Sequence, residues 1–372
     1  MKILILCPSF FPIRGGAEQT VYELASRLKA DNTVVIVTLR WDKSFKRRET
    51  VGGLEVHRVG FLRFKGVNLL SKCLSLFFKM TALFRKYRFD VIHMFQVFET
   101  GCAAYLFRKA FRVPLLISLV GWDTYDPHIK LAKRHLFLIR KVMNASSLVT
   151  APSRFQAEAA NKQGYRRDIV LVPLGSSMHD RVDRAHPDLK KGLHLEGKKI
   201  VLSVQRLHPR KGLEDLLAAI PAILAGQKDA HFILVGEGPE EKRLKSQARA
   251  LGIEAHLTFT GFVPDDDLPS YYAAADLFVL PTLYESFGLV YADALSFGVP
   301  VVTTETSGAL DIIEARNGIL VPVKDPEKLG RAVVEALHKP WDKKAIRESA
   351  ERFRWDHLVE KYKELYTSII SA

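Results

Sequence analysis

The sequence predicts an α/β protein of two doubly wound, parallel-sheet domains of the Rossmann-like kind, and three observations carry that reading. Its 372 residues exceed one ordinary α/β core and suit two domains of about 150–200 residues each. Strand-like apolar runs alternate with helical patterns through both halves, as parallel sheets with crossover helices require. The halves also open alike, with Lys2-Ile3-Leu4-Ile5-Leu6 and Lys198-Lys199-Ile200-Val201-Leu202-Ser203-Val204 each leading through a loop into a helical pattern.

The strands expected in the first half are Ile3–Leu6, Val34–Thr38, Val91–His93, Leu115–Leu119 and Leu148–Ala151. Those expected in the second are Ile200–Val204, His231–Val235, Leu257–Thr260, Leu277–Leu280 and Pro300–Thr303. Between the two sets, Pro173–Lys191 is rich in Gly, Ser, Asp, Arg and Pro and lacks periodicity, which places the hinge near it. The expected domains are therefore 1–178 and 179–355. A final amphipathic helix over Trp355–Ile370 is expected to return, as residues 356–372, toward the first domain.

Hydrophobic content of 48% with 26% charged residues describes a globular chain. Cys7, Cys73 and Cys102 show neither metal spacing nor a disulfide framework, so a reducing, cytoplasmic setting is the default. Pro8, Pro12 and Arg14 interrupt the first apolar run, which favours a buried strand over a signal peptide. No apolar run approaches the roughly 20 residues that span a bilayer. The net charge of +14 is unevenly placed: residues 1–175 carry a net +17 and the remainder a net −3. The basic half calls for an anionic partner, whether a phospholipid surface, a polyanionic acceptor or nucleic acid.

Unusual residues cluster in the second half. After the strand ending at Val204 comes Gln205-Arg206-Leu207-His208-Pro209-Arg210-Lys211-Gly212, then a helix. Ligands of open α/β sheets bind at strand ends, where Arg206 and Lys211 supply a fork and a point charge for a diphosphate. A solvated basic loop explains the same residues equally well. The Gly236-Glu237-Gly238-Pro239 loop argues for little beyond a tight turn. In the segment Pro281–Pro300, a loop carries Glu285, and Gly288 opens a helix whose first amides form a natural phosphate site. Glu285 ahead of that site and Asp293 about two turns into the helix suit sugar hydroxyls; taken alone, they read as a capping group and a solvated residue.

Together these segments resemble glycosyltransferase family 4, whose members have the GT-B fold of two Rossmann-like domains facing across a cleft. The likeness covers Val204–Gly212, the Gly-Glu-Gly-Pro loop, Gly261-Phe262-Val263, the acidic pattern starting at Glu285, Ala294 through Val302 and the Asn317-Gly318 turn. The first half adds Gly15-Gly16-Ala17-Glu18, Gly121 with Asp123, Ser153 and Pro173-Leu174-Gly175. The resemblance implies a retaining hexosyltransferase that uses a nucleotide diphosphate sugar as substrate and needs no cofactor. It implies that Arg206 and Lys211 neutralise the leaving diphosphate, helped by the amides of Gly288, Leu289 and Val290. Glu285 would face the donor sugar, Asp293 the ribose, and the backbone at Phe262 and Val263 the base. Gly16 would let the first loop approach the donor, and the basic half would take a lipid, glycan or small-molecule acceptor.

The chain departs from the family pattern at Gln205, where Gly is common, at Asp293, where Glu is common, and at Val120, where many members have His. His93 and Asp123 are then the remaining polar candidates for sugar or acceptor. No carboxylate is assignable as a covalent nucleophile, and a front-face mechanism is the family's usual proposal. Asp265-Asp266-Asp267 follows Pro264 and precedes Leu268–Ala274, so helix capping is expected there and no metal site.

Leu69–Arg88 reads as a basic helix with Leu70, Cys73, Leu74, Phe77, Met80 and Phe84 on one face and Lys72, Lys79 and Lys86 on the other. Either that stripe is merely solvated, or it docks to anionic membrane at the inner face, with Lys130, Lys133, Arg134, Arg140 and Lys141 in support. A GT-B epimerase and a non-catalytic nucleotide-sugar or membrane-binding protein are the competing readings. A nucleic-acid partner would explain the charge but not the Glu285 segment. A dehydrogenase is disfavoured, because neither half shows a Gly-x-Gly-x-x-Gly turn after its first strand.

Overall fold

The computed structural model describes residues 1–62, 68–120 and 133–372. Within them the chain forms two compact units, Met1–Leu174 with Trp355–Ala372, and Gly175–Arg354. Among the described residues the first unit holds β1 Lys2–Leu6, β2 Thr33–Leu39, β3 Arg48–Val51, β4 Leu54–Val59, β5 Val91–Phe95, β6 Leu115–Ser118, β7 Leu148–Ala151 and β8 Ile169–Leu171. Their order across the sheet is β3-β4-β2-β1-β5-β6-β7-β8, with β3 alone antiparallel to its neighbour. Its helices are α1 Gly16–Leu28, α2 Asn68–Tyr87, α3 Val97–Phe111, α4 Lys133–Ala145 and α5 Arg154–Lys162, and it also contains the C-terminal helix Trp355–Ser371.

Helices cover both faces of this sheet, which is why its central strands read as unbroken apolar runs. Ile3 and Ile5 of β1 point into one core with α1 and the C-terminal helix. Leu4 and Leu6 point into the other, which collects residues of α2, α3 and α4.

His93 lies on β5 between Ile5 and Leu116, fully buried. Its Nδ1 is 2.7 Å from the Tyr366 hydroxyl and its Nε2 is 2.7 Å from Ser118 Oγ. Ser118 Oγ in turn meets Thr150 Oγ1 at 2.7 Å and the Tyr362 hydroxyl at 3.3 Å. These bonds hold the C-terminal helix on the sheet. The expectation that His93 serves sugar or acceptor is therefore corrected, since both ring nitrogens are bonded inside the core.

A second correction concerns α2. Its buried residues are Ser71, Lys72, Cys73, Leu76, Met80 and Leu83. Lys72 is not part of a solvated stripe: it is 5% exposed, bonded to Glu99 of α3 at 2.7 Å, and lies over the rings of Trp41 and Phe61. The outward side instead carries Leu70, Leu74 and Phe78, exposed by 58%, 43% and 65%. Apolar side chains lie on both its buried and its outward side, so sequence spacing alone left its rotation open.

In the second unit the strands are β9 Lys199–Val204, β10 Ala230–Val235, β11 Leu257–Gly261, β12 Leu277–Leu280, β13 Val301–Thr304 and β14 Gly318–Val321. All pair in parallel, in the order β11-β10-β9-β12-β13-β14. The helices are α6 Leu189–Gly192, α7 Leu213–Gly226, α8 Glu241–Ala250, α9 Leu268–Ala274, α10 Leu289–Ser296, α11 Ser307–Ile312, α12 Pro326–His338 and α13 Lys343–Ala350. Val201, Phe232 and Leu277 join residues of α7 and α12 in one core. The chain winds outward from β9 to β11 and then returns beside β9 as β12, so the strand order reverses between β9 and β12. A crevice at the carboxyl ends of those two strands is the place where this topology binds ligands. Among the described residues no helix is long and apolar enough to cross a membrane.

All ten expected strands form; β3, β4, β8 and β14 were not expected. The His93 network generates a prediction about acid stability. Burial pushes the His93 imidazole down to about 3, whereas the unfolded chain takes that proton near its ordinary value of 6.5. Between those values the unfolded state binds the extra proton, so the stability His93 allows above pH 6.5 is lost as pH falls toward 3. Urea midpoints measured from pH 7 to 5 are expected to show a loss of up to about 1 kcal/mol per pH unit from this group. His93→Gln is expected to show a shallower slope; an unchanged slope would mean that another group carries it.

Candidate active site

The site is built at the carboxyl ends of β9 and β12. Beyond β9, Arg206 is exposed and Leu207 is buried as an anchor. The His208 ring then accepts from the Arg210 amide at 3.2 Å and starts a short turn, Pro209–Lys211. Gly212 closes that turn at φ 64, and an added Cβ there would lie 2.0 Å from the Pro281 carbonyl oxygen. Only glycine fits, for both reasons. The loop after β12 is fastened to the same place, because Leu283 N and Thr282 Oγ1 both donate to the Arg210 carbonyl, at 2.8 and 3.1 Å.

This contact brings Lys211 and Glu285 together across 74 positions of sequence, with Nζ donating to Oε2 at 2.6 Å. Their side chains are 25% and 17% exposed, so the pair stands at the rim rather than in the core. Glu285 Oε1 also accepts from the Ser286 amide at 3.2 Å, and its carbonyl accepts from Gly308 N and Ser307 Oγ, each at 3.0 Å. Gly288, at φ 88, turns the chain into α10 without any side-chain cap. Leu289 and Val290 form the first turn, where helix amides have no partner within the helix and carry the positive end of its dipole. Tyr291 anchors that turn from within, its hydroxyl 2.9 Å from Thr303 Oγ1. Burial, and secondarily the Glu285 charge, raises its phenol pKa.

Asp293 is the fifth residue of α10, about one turn in rather than two. Its Oδ1 accepts from Ser176 Oγ at 2.7 Å, and Ser176 also receives the amides of Met178 and His179. Sequence reasoning missed Ser176, although it directly follows the Pro173-Leu174-Gly175 segment. Gln205, a departure from the family pattern, is nearly buried; its side-chain amide donates to Ser203 Oγ at 2.9 Å, while its side-chain carbonyl oxygen is buried without a hydrogen-bond partner.

The glycines of the Gly-Glu-Gly-Pro loop have a packing role. A Cβ on Gly236 would come within 2.0 Å of the Gln205 carbonyl, and one on Gly238 within 2.1 Å of the Leu207 carbonyl. They let this loop close on the Arg206 segment, with Leu207 N bonded to Glu237 O at 2.9 Å. Glu237 Oε1 accepts from Phe262 N at 3.3 Å, which sets the exposed Phe262 and the buried Val263 beside the same loops. Asp267 stands at the start of α9 but makes no capping bond with its side chain, contrary to expectation, while Asp266 pairs with Arg181 at 3.2 Å.

Arg206, Lys211, Glu285, Gly288, Leu289, Val290, Asp293, Phe262 and Val263 thus all lie in one unit, on loops and a helix that follow strand ends. Gly16, the first residue of α1, and His93 belong to the other unit. Asp123 lies outside the described residues, as does Lys130.

A family model described as Glycosyl transferases group 1 matches residues 186–353, and one described as Glycosyltransferase Family 4 matches residues 14–177. A GDP-mannose-dependent alpha-mannosyltransferase of Corynebacterium glutamicum is 30% identical over 87% of this chain and 78% of its own length. The chain belongs to glycosyltransferase family 4. A second relative of this family 4 chain is a GDP-mannose-dependent alpha-(1-6)-phosphatidylinositol monomannoside mannosyltransferase of Mycolicibacterium smegmatis. It is 24% identical over 91% of this chain and 90% of its own. Among solved structures, Anabaena Alr3699/HepE in complex with UDP superimposes with a TM-score of 0.80 at 25% identity, covering 99% of this chain and 100% of that one. The two parallel-sheet units of this family 4 glycosyltransferase are those of the GT-B fold.

The close approach at Gly212 yields a test. Gly212→Ala in the glycosyltransferase is expected to lower stability by about 1–3 kcal/mol, the usual cost of a strained backbone position. The measurement is urea unfolding of parent and variant. Equal midpoints would show that the two loops tolerate separation.

Proposed function

We propose that this glycosyltransferase moves a hexose from a nucleotide diphosphate sugar to a membrane lipid acceptor, with retention of anomeric configuration and without a metal ion. The observation that carries the reading is the Lys211–Glu285 pair, which joins the loops after β9 and β12 at the strand-order reversal, with Arg206 on the first of those loops and the start of α10 following the second. The mannosyltransferase relative's GDP-mannose and the UDP of the Anabaena structure support a nucleotide sugar as donor.

In this reading the acceptor hydroxyl oxygen forms the new bond to the anomeric carbon. The bond from that carbon to the diphosphate oxygen breaks, its electron pair leaving with the diphosphate. The acceptor proton passes to the departing phosphate oxygen on the same face. Arg206, Lys211 and the amides of Gly288, Leu289 and Val290 take up the charge that grows on the diphosphate. Glu285 orients the donor sugar, Asp293 the ribose and the Phe262–Val263 backbone the base. When the diphosphate binds, Lys211 exchanges part of its bond to Glu285 for phosphate. Side-chain cations do the neutralising, so a divalent ion is not required, and the nucleotide sugar is consumed as substrate with no cofactor.

The lipid acceptor rests on the outward surface of α2, α3 and α4. Leu70, Leu74, Phe78, Leu106 and Phe137 are exposed there, among Lys79, Arg85, Lys86, Lys109, Arg140 and Lys141. Glu99 is the one acidic residue in these three helices, and it is paired with Lys72. Apolar side chains within a basic field suit the cytoplasmic leaflet, whose anionic lipids give it a negative surface potential.

Four measurements test the proposal. Arg206→Ala and Lys211→Ala are each expected to lower kcat by about 10²–10³-fold with a smaller change in donor affinity, because the leaving charge is largest in the transition state. Transfer is expected to persist in EDTA, and NMR of the product to show the donor's anomeric configuration. Unchanged kcat with weaker binding would reduce both residues to anchors, and activity restored only by Mn²⁺ would remove the metal-free step. For the surface, Leu74→Glu with Phe78→Glu is expected to abolish sedimentation with vesicles rich in anionic lipid. Retained sedimentation would exclude this face.

A further inference from the structure

Two of the three cysteines, 29 residues apart, meet across the packed helices α2 and α3. Both are free thiols, with Sγ atoms 2.7 Å apart. That is only about 0.7 Å longer than the roughly 2.05 Å of a disulfide bond. The helices' register at this point is also fixed independently, because Lys72 precedes Cys73 on α2 and bonds at 2.7 Å to Glu99, three residues before Cys102 on α3. The sulfurs are therefore held together by a contact in which neither takes part. Cys73 is 1% exposed and belongs to the apolar core, while Cys102 is half-buried and packs against the edge of that core.

We propose that Cys73 and Cys102 are a thiol–disulfide modification site, at which a glutathione-type disulfide closes a covalent bond between α2 and α3. Solvent reaches Cys102, so Cys102 reacts first. Its thiolate attacks one sulfur of the oxidised glutathione, breaks that S–S bond and leaves a mixed disulfide. The released glutathione thiolate takes up a proton. The neighbouring Cys73 sulfur, giving its proton to solvent, then attacks the Cys102 sulfur and displaces the second glutathione. Two protein thiols are oxidised and one small disulfide is reduced to two thiols, so electrons and protons balance.

The order of the steps has support from the acidity of the two groups. The Cys73 thiol donates its hydrogen bond to Cys102, which holds the Cys102 thiol below the ordinary range, while the same bond and burial push Cys73 up. The more acidic, more accessible sulfur is the better first attacker. Cys7 differs on each count: it is 1% exposed, and burial pushes its thiol up to about 12. It is the internal control. The site is independent of the transfer chemistry, since neither cysteine is among the residues assigned to donor or acceptor.

The experiment exposes the full-length protein to excess oxidised glutathione, then digests it without reduction and reads the peptides by mass spectrometry. The expected result is one cross-linked peptide pair joining Cys73 to Cys102, two glutathiones released per chain, and Cys7 unmodified. The oxidised protein is expected to melt about 5–10 °C higher than the reduced one, as a bond closing a loop of this length predicts, and dithiothreitol is expected to reverse the shift. Cys73→Ser is expected to stop with glutathione on Cys102, and Cys102→Ser to leave Cys73 unmodified. The proposal is overturned if both thiols stay free, if the parent stops at a mixed disulfide, if cross-links form through Cys7 or between chains, or if Cys102→Ser still reacts at Cys73.

Discussion

Gly212 meets the Pro281 carbonyl so closely that a Cβ would lie 2.0 Å from that oxygen, and the loops after β9 and β12 are joined at this contact. The rest of the site follows from it. Arg210 lends its carbonyl to Thr282 and Leu283, Lys211 is delivered to Glu285, and the chain runs on through Gly288 into α10. Lys211, paired with Glu285, and the uncapped start of α10 thus follow the ends of two neighbouring strands. The same logic assigns the Gly-Glu-Gly-Pro loop to backbone closeness: its glycines let the third loop lie against the Arg206 segment.

The first unit is organised around different constraints. Helices cover both faces of its sheet, and a buried polar cluster on it is joined through His93, Ser118, Thr150, Tyr362 and Tyr366. Buried polar groups are tolerable when each finds a partner, and here the partners lie on the sheet and on a helix from the far end of the chain. That cluster explains why a C-terminal segment belongs to the N-terminal unit. Lys72 is turned inward, neutralised by Glu99 and covered by the rings of Trp41 and Phe61, and the buried Arg58 is paired with Glu49.

Ten strands were legible because they are apolar runs bounded by turn residues, as strands buried on both faces must be. The four that escaped lack that signal. β3, Arg-Glu-Thr-Val, and the short β8, Ile-Val-Leu, are edge strands with polar or half-exposed residues. β4 interleaves Glu55, His57 and Arg58 with its apolar positions, and β14 is four residues long at the edge of its sheet. Edge strands bury less surface, so composition constrains them less.

Residue type and local spacing by themselves determined the α/β class, ten of the strands, the charge asymmetry and the loops that carry Arg206, Lys211 and Glu285. Those features are local: an apolar run must be buried, and a strand-loop-helix unit presents its loop at a strand end. Only the tertiary structure decided the rotation of α2, the internal bonding of His93, the Ser176 bond to Asp293 and the meeting of Cys73 with Cys102. Each of these joins residues far apart in the chain, and packing of whole elements sets which side chains face one another. Because α2 carries apolar side chains on both its buried and its outward side, periodicity did not choose between them. The choice falls to the partner helix, where Glu99 stands ready for Lys72.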